Sequence, residues 1–155
     1  MTPSSTGEML GKILLVLAIA GIIVSAWLTW HHYWVNYLSG AGDWCDVNAL
    51  FNCDVIAQSA HSQILGIPVA VIGLLWFSAV LAFPLFVKVL GQKKATLALM
   101  GWSILGTIGI GLFVYIEIFA IKVICLGCTL AHIIGLAILA VSLLMLRNSR
   151  PANVL

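Results

Sequence analysis

Four long apolar runs, about Leu14 to Trp30, Ile67 to Val89, Ala95 to Ile121 and Val123 to Leu146, limit how this chain can fold. A helix rises ~1.5 Å per residue and a bilayer's hydrocarbon core is ~30 Å thick, so a run of at least ~17 residues reaches across. All four qualify, the first with help from its flanks. Only 8% of the residues are charged and 63% are hydrophobic, whereas a soluble domain carries roughly 25% charge. The chain therefore reads as an all-α integral membrane protein. It is a four-transmembrane-helix bundle filling residues 1–155 as a single membrane domain, with spans about 12–34, 67–89, 95–121 and 123–146. A loop of about 35–66, with a short surface helix, joins the first two spans. A net charge of +2 without clustered Lys and Arg excludes a nucleic-acid partner. The lipid bilayer is the partner that composition demands.

The first run has a signal-peptide look, because Lys12 precedes it and Val24-Ser25-Ala26 resembles a cleavage site. It is longer than a signal core, however, and runs into Trp27, Trp30, Tyr33, Trp34 and Tyr37, an aromatic belt of the kind found at membrane interfaces, so it reads as a retained helix. With four spans, Lys12, Lys88, Lys93, Lys94, Arg147 and Arg150 share one side. The other side holds only Lys122, and the segment from His31 to Gly66 has no Lys or Arg but contains Asp43, Asp46 and Asp54. The positive-inside rule then puts both termini in the cytoplasm and all four cysteines on the extracytoplasmic side, where disulfides persist.

Along the chain, residues 1–9 read as a disordered polar tail. Ser39-Gly40-Ala41-Gly42-Asp43 reads as a turn that breaks the first helix. Asp46 can then cap a short helix on which Val47, Leu50, Phe51 and Val55 share helical spacing. Such a helix would form a lid on the membrane surface, carrying Cys53, with Cys45 just before it. Gly66-Ile67-Pro68 opens span two with Pro68 in the first helical turn, and Pro84 kinks or ends that span. Ser103, Thr107 and Gly111 form a small-residue packing stripe on span three. The link to span four is so short that its turn falls near Lys122, which puts Cys125 in the first turn of span four.

Cys125 and Cys128 form a Cys-x-x-Cys pair inside apolar sequence. The attacking species in disulfide exchange is the thiolate, which a helix amino terminus favours, and Cys125 is placed for this; Cys128 sits one turn deeper, within reach of a lipid-soluble oxidant. Cys125, Cys128, His132 and Gly135 share one helical face. Gly135 leaves room there for a ring-shaped ligand. His132 reads either as a ligand contact or as a hydrogen-bonded residue inside the bundle. A zinc site fits poorly with the seven-residue gap between Cys45 and Cys53, and no metal is expected. Two structural disulfides in a tetraspan scaffold are the rival reading, weakened because so short a bridge as Cys125 to Cys128 stabilises a fold little. Glu117 reads as a proton relay or as a partner of Lys122, and His31 and His32 as interface residues.

Taken together, Cys-x7-Cys-x5-Ser (Cys45, Cys53, Ser59), Gly66-Ile67-Pro68 and the Cys-x-x-Cys opening span four resemble the vitamin K epoxide reductase family over roughly Lys12 to Leu146. The resemblance implies a disulfide-generating enzyme. Such an enzyme oxidises a thioredoxin-like protein, here acting in trans, and passes two electrons to a membrane quinone of the menaquinone, ubiquinone or phylloquinone type. It implies that Cys45 meets the partner, that Cys53 shuttles to Cys125 as the lid flexes between Gly40 and Cys45, and that Cys128 lies beside the quinone. Ser59 resembles the family's loop serine. Ser62, with His61 beside it, stands where vertebrate members carry a quinone-binding Asn, and His132 where they carry a Tyr. The three loop acids would help select the partner or simply form a solvated surface.

Overall fold

The computed structural model describes residues 5–38, 40 and 45–148. Lipid offers backbone groups no hydrogen-bonding partner, so a spanning segment must satisfy its own, and the described residues are accordingly mostly helical. Helix α1 (Ser5–Tyr37) is the longest at 33 residues, about 50 Å at the usual rise. Residues 5–9, expected as disordered tail, are its first turns, and an exposed Glu8–Lys12 pair at 2.8 Å joins them to the next turn. Of the turn expected at 39–43, only Gly40 lies among the described residues; Asp43 and Arg150 lie outside them.

The polar loop contributes α2 (Cys53–Gln58), a 3-10 turn (Ala60–Ser62) and a small antiparallel hairpin of β1 (Gln63–Ile64) and β2 (Ile67–Pro68). Leu65 and Gly66, at φ 53° and 81°, make its two-residue turn, a left-handed geometry that glycine adopts freely. Pro68 stands one residue ahead of α3 (Val69–Leu81), at its N-cap rather than inside its first turn. Helix α4 (Phe83–Leu90) follows after a 47° bend at Ala82, and the two together are apolar enough to form one span. Pro84 explains the break: it has no N–H to continue the ladder and sits comfortably only in the first turn of a new helix.

Helix α5 (Gln92–Tyr115) runs on into a π-helical segment, Ile116–Ile121, closed by Lys122 in the left-handed conformation at φ 62°. Helix α6 (Leu126–Asn148) completes the bundle. Large apolar side chains such as Val16, Ile23, Leu105, Ile108 and Ile133 point outward. In water they would form a sticky surface, whereas in lipid they are the solvated one.

Leu14, Ala18, Phe77, Val80, Leu99 and Ile138 form the inner core. Helix α1 packs mainly on α3 and α6, and α5 on α6 and α4, while α3 and α5 touch sparsely. Across that last seam Trp76 and Trp102 each donate an indole N–H to the other's carbonyl at 3.3 Å, with nearly parallel rings. The expected small-residue stripe is only partly a packing device. Ser103 is buried and bonds its own helix at Leu99, but a Cβ at Gly111 would meet nothing within 4 Å.

Candidate active site

The loop folds over the outer end of the bundle through side-chain caps. Asp46 Oδ1 accepts the backbone N–H groups of Cys53 (2.8 Å) and Asp54 (3.2 Å), and Asn52 Oδ1 accepts that of Val55 (2.9 Å). Asn48 Oδ1 takes the N–H groups of Leu50 and Phe51, which closes a local turn in competition with helix. The short helix therefore starts at Cys53, later than the apolar spacing of Val47, Leu50 and Phe51 implied, although Asp46 still caps it. Two backbone bonds, Asn52 N to Ile124 O (3.1 Å) and Ile124 N to Leu50 O (2.8 Å), clamp the loop to the residues leading into α6.

Cys125 sits at the cap of α6 rather than within its first turn. Its sulfur accepts the Cys128 N–H at 3.1 Å and its carbonyl accepts the Thr129 N–H at 2.9 Å, a capping geometry in which sulfur takes the place of the usual oxygen. Cys45 and Cys53 form a disulfide with Cα atoms 5.6 Å apart, and Cys125 and Cys128 are thiols. The Cys53 and Cys125 sulfurs are 3.0 Å apart. Cys45, Cys53 and Cys125 are buried together against Trp27, Leu28 and Ile56, and Cys128 is half-buried beside them. Gly127 makes this packing possible: a Cβ there would lie 2.7 Å from the Trp27 ring and 2.9 Å from Leu28.

A cavity of about 510 Å³ lies below this cluster, bordered by α1, α3, α5, the π segment and α6. Its lining is mostly apolar. Cys53, Cys125 and Cys128 reach it, as do Ser59, His61, Ser62, His132 and Gly135. Cys45, fully buried, is not among the lining residues. Ser59 and Ser62 spend their hydroxyl protons on the Ile56 and Ser59 carbonyls at 2.8 Å, so what they offer the cavity is oxygen lone pairs. His61 is exposed at the rim. His132 has no hydrogen-bond partner among the described residues. Gly135 leaves less room than its size suggests, because a Cβ there would meet Ile110 of α5 at 2.8 Å.

Sequence reasoning missed two side chains. His31 and His32, read as interface residues, are buried and line the cavity. His31 Nε2 lies 3.1 Å from Asp54 Oδ1 and its ring stacks on Trp27, while His32 meets Gln63 at 3.1 Å. These contacts hold α2 and the hairpin onto α1. An acid directly after Cys53 in a loop without Lys or Arg was the available signal. Asp46 and Asp54 are thus engaged in holding the loop, which leaves Asp43 as the loop acid without a described role.

A buried disulfide touching a third sulfur, with a fourth on the wall of an apolar cavity inside a helical bundle, defines a class: integral membrane proteins arranged for thiol–disulfide exchange. The model of the vitamin K epoxide reductase family matches residues 12–143, and the chain belongs to that family. Membership makes it, in general terms, a quinone-linked membrane oxidoreductase. Comparison with curated proteins gives no match.

Proposed function

We propose that this protein oxidises a thioredoxin-like partner and reduces a membrane quinone, with the Cys45/Cys53 and Cys125/Cys128 pairs in series. The observation that carries this reading is the 3.0 Å approach of the Cys53 and Cys125 sulfurs, with Cys128 on the cavity wall. A partner thiolate attacks Cys45 and Cys53 leaves; the partner's second thiolate then releases Cys45 and departs as a disulfide. Cys53 attacks Cys125 of a Cys125–Cys128 bridge, and Cys128 leaves as a thiolate. Cys45 then closes on Cys53, freeing Cys125. Two electrons and two protons have now moved inward, which is the bonding state described above. Because the sulfurs are already adjacent, this inner exchange needs no long travel by the lid.

A quinone, when bound, supplies an acceptor for two electrons and two protons. The cavity suits one: it has the volume of a ligand site, an apolar lining and a few polar groups, with Cys128, Ser62 and His132 among the residues that would surround the ring. The sparsely packed α3–α5 seam suits an apolar tail. Charge distribution supports cytoplasmic termini and cysteines on the extracytoplasmic side.

The test is purified protein mixed with a reduced thioredoxin-like dithiol protein and a soluble quinone, with quinone absorbance followed. Turnover that disappears in Cys128→Ala supports the series, and full activity in that variant sinks it. Orientation is read separately from Leu65→Cys at the fully exposed hairpin tip. A membrane-impermeant maleimide should label it in intact cells, and labelling only after permeabilisation would reverse the assignment.

A further inference from the structure

Glu117 is an acid in a membrane span, and it is buried, at 7% exposure. Its supposed partner does not hold it, since Lys122 is exposed and forms no ion pair with it. The carboxyl instead faces the backbone amide of Cys125 and the thiol of Cys128, and it lines the cavity that Cys128 and His132 also line. The backbone is shaped for this placement. Glu117 lies in the π-helical segment, whose wider turn displaces the following side chains from the α-helical register, a feature frequent at functional sites. Its carbonyl accepts the N–H groups of both Lys122 and Val123, so the same residue closes the turn leading to Cys125.

We propose that Glu117 is a catalytic residue of the inner half-reaction, accepting the proton of the Cys128 thiol and delivering it to the electron acceptor. This rests on the quinone-linked reading above. The overall step is Cys125–SH plus Cys128–SH plus quinone giving the Cys125–Cys128 disulfide plus quinol. Both S–H bonds break, one S–S bond forms, and two electrons and two protons pass to the acceptor. Glu117, as carboxylate, takes one of those protons from sulfur as the electron pair leaves and gives it to a ring oxygen, ending as carboxylate. The other proton comes from Cys125. A carboxylate suits this position because the transfer takes place away from water, where no solvent base can substitute.

The test separates the half-reactions in the full-length protein. Wild type, Glu117→Gln, Glu117→Asp and Glu117→Ala are each mixed anaerobically with a reduced thioredoxin-like protein, without quinone. Separately, each pre-reduced enzyme is mixed with a short-chain quinone in a stopped-flow instrument. Glu117→Gln should exchange disulfides with the partner within about twofold of wild type but reduce quinone ~10²-fold more slowly, the usual scale of general acid–base assistance. Glu117→Asp should recover part of the rate, and added formate should rescue Glu117→Ala in proportion to its concentration, which no purely structural role would produce. A Glu117→Gln enzyme that reduces quinone at the wild-type rate, or that slows equally in both half-reactions without formate rescue of Glu117→Ala, overturns the proposal. Failure of the wild type itself to reduce quinone would instead overturn the parent reading and the proposal with it.

Discussion

The two cysteine pairs are held by different physics. Cys45 and Cys53 belong to a loop whose shape is written by side-chain hydrogen bonds: Asp46 and Asn52 cap α2, His31 meets Asp54, and a two-bond backbone clamp ties the loop to Ile124. Cys125 and Cys128 belong to a membrane helix, and their spacing follows from its register, with one sulfur at the cap and the other a turn further on at the cavity. The outer pair thus sits on an element of marginal intrinsic stability and the inner pair on one of the most regular elements in the fold. The relay proposed above, with a protein at one end and a lipid-soluble molecule at the other, would use that asymmetry: its outer pair would open, and its inner pair would stay in register with the cavity.

The largest effect that would break this comparison is loss of an inner sulfur. Cys128→Ala or Cys125→Ala should lower quinone-coupled turnover by ~10³-fold or more, as removal of a covalent participant does. Full quinone reduction by Cys45→Ala with the thioredoxin-like protein as donor would show that the pairs are not in series. When the partner's attacking cysteine is activated as its mixed disulfide with thionitrobenzoate, the free Cys45 thiolate of Cys53→Ala should displace thionitrobenzoate and form a mixed disulfide with the partner, visible as a shifted band on a non-reducing gel; the same band in Cys45→Ala would reverse the order of the outer pair.

Smaller effects sharpen the contrast. Gly127→Ala forces a Cβ against Trp27 and Leu28, and should destabilise the bundle by ~1–3 kcal/mol, read as a lower Tm in detergent, with the inner exchange impaired. Asp46→Ala removes two accepted backbone bonds and should cost about 1 kcal/mol, confined to the loop. Hydrogen exchange should rise over residues 46–58 while α6 stays protected. If α6 loosens as well, the loop and the helix are one cooperative unit and the contrast between the pairs fails.

Much of the fold was legible because its causes are local or one-dimensional. Length and apolarity found the spans, the break near Pro84 followed from a missing N–H, and Cys-x-x-Cys at a helix start is a spacing. The misreadings came where two local rules competed. Helical spacing at Val47, Leu50 and Phe51 lost to the Asn48 turn, which delayed α2 to Cys53. Residues 5–9 looked too polar to order, but helix propagation from an already formed α1 and the Glu8–Lys12 pair carried them along. Of the candidate site, the identities of the cysteines and loop serines were readable, while the burial of His31 and His32 was not, because it depends on what the loop folds against.

The sequence by itself determined an all-α membrane protein with two cysteine pairs, since the bilayer's thickness and its lack of hydrogen-bonding partners leave an apolar chain few alternatives. Only the tertiary structure decided that Cys53 stands 3.0 Å from Cys125 across 72 residues of chain, that α3 and α5 leave a seam beside a cavity, and that Glu117 faces Cys128. Such relations depend on how helices cross and on a π-helical turn that shifts a side chain's direction, and no pattern within a single segment encodes either.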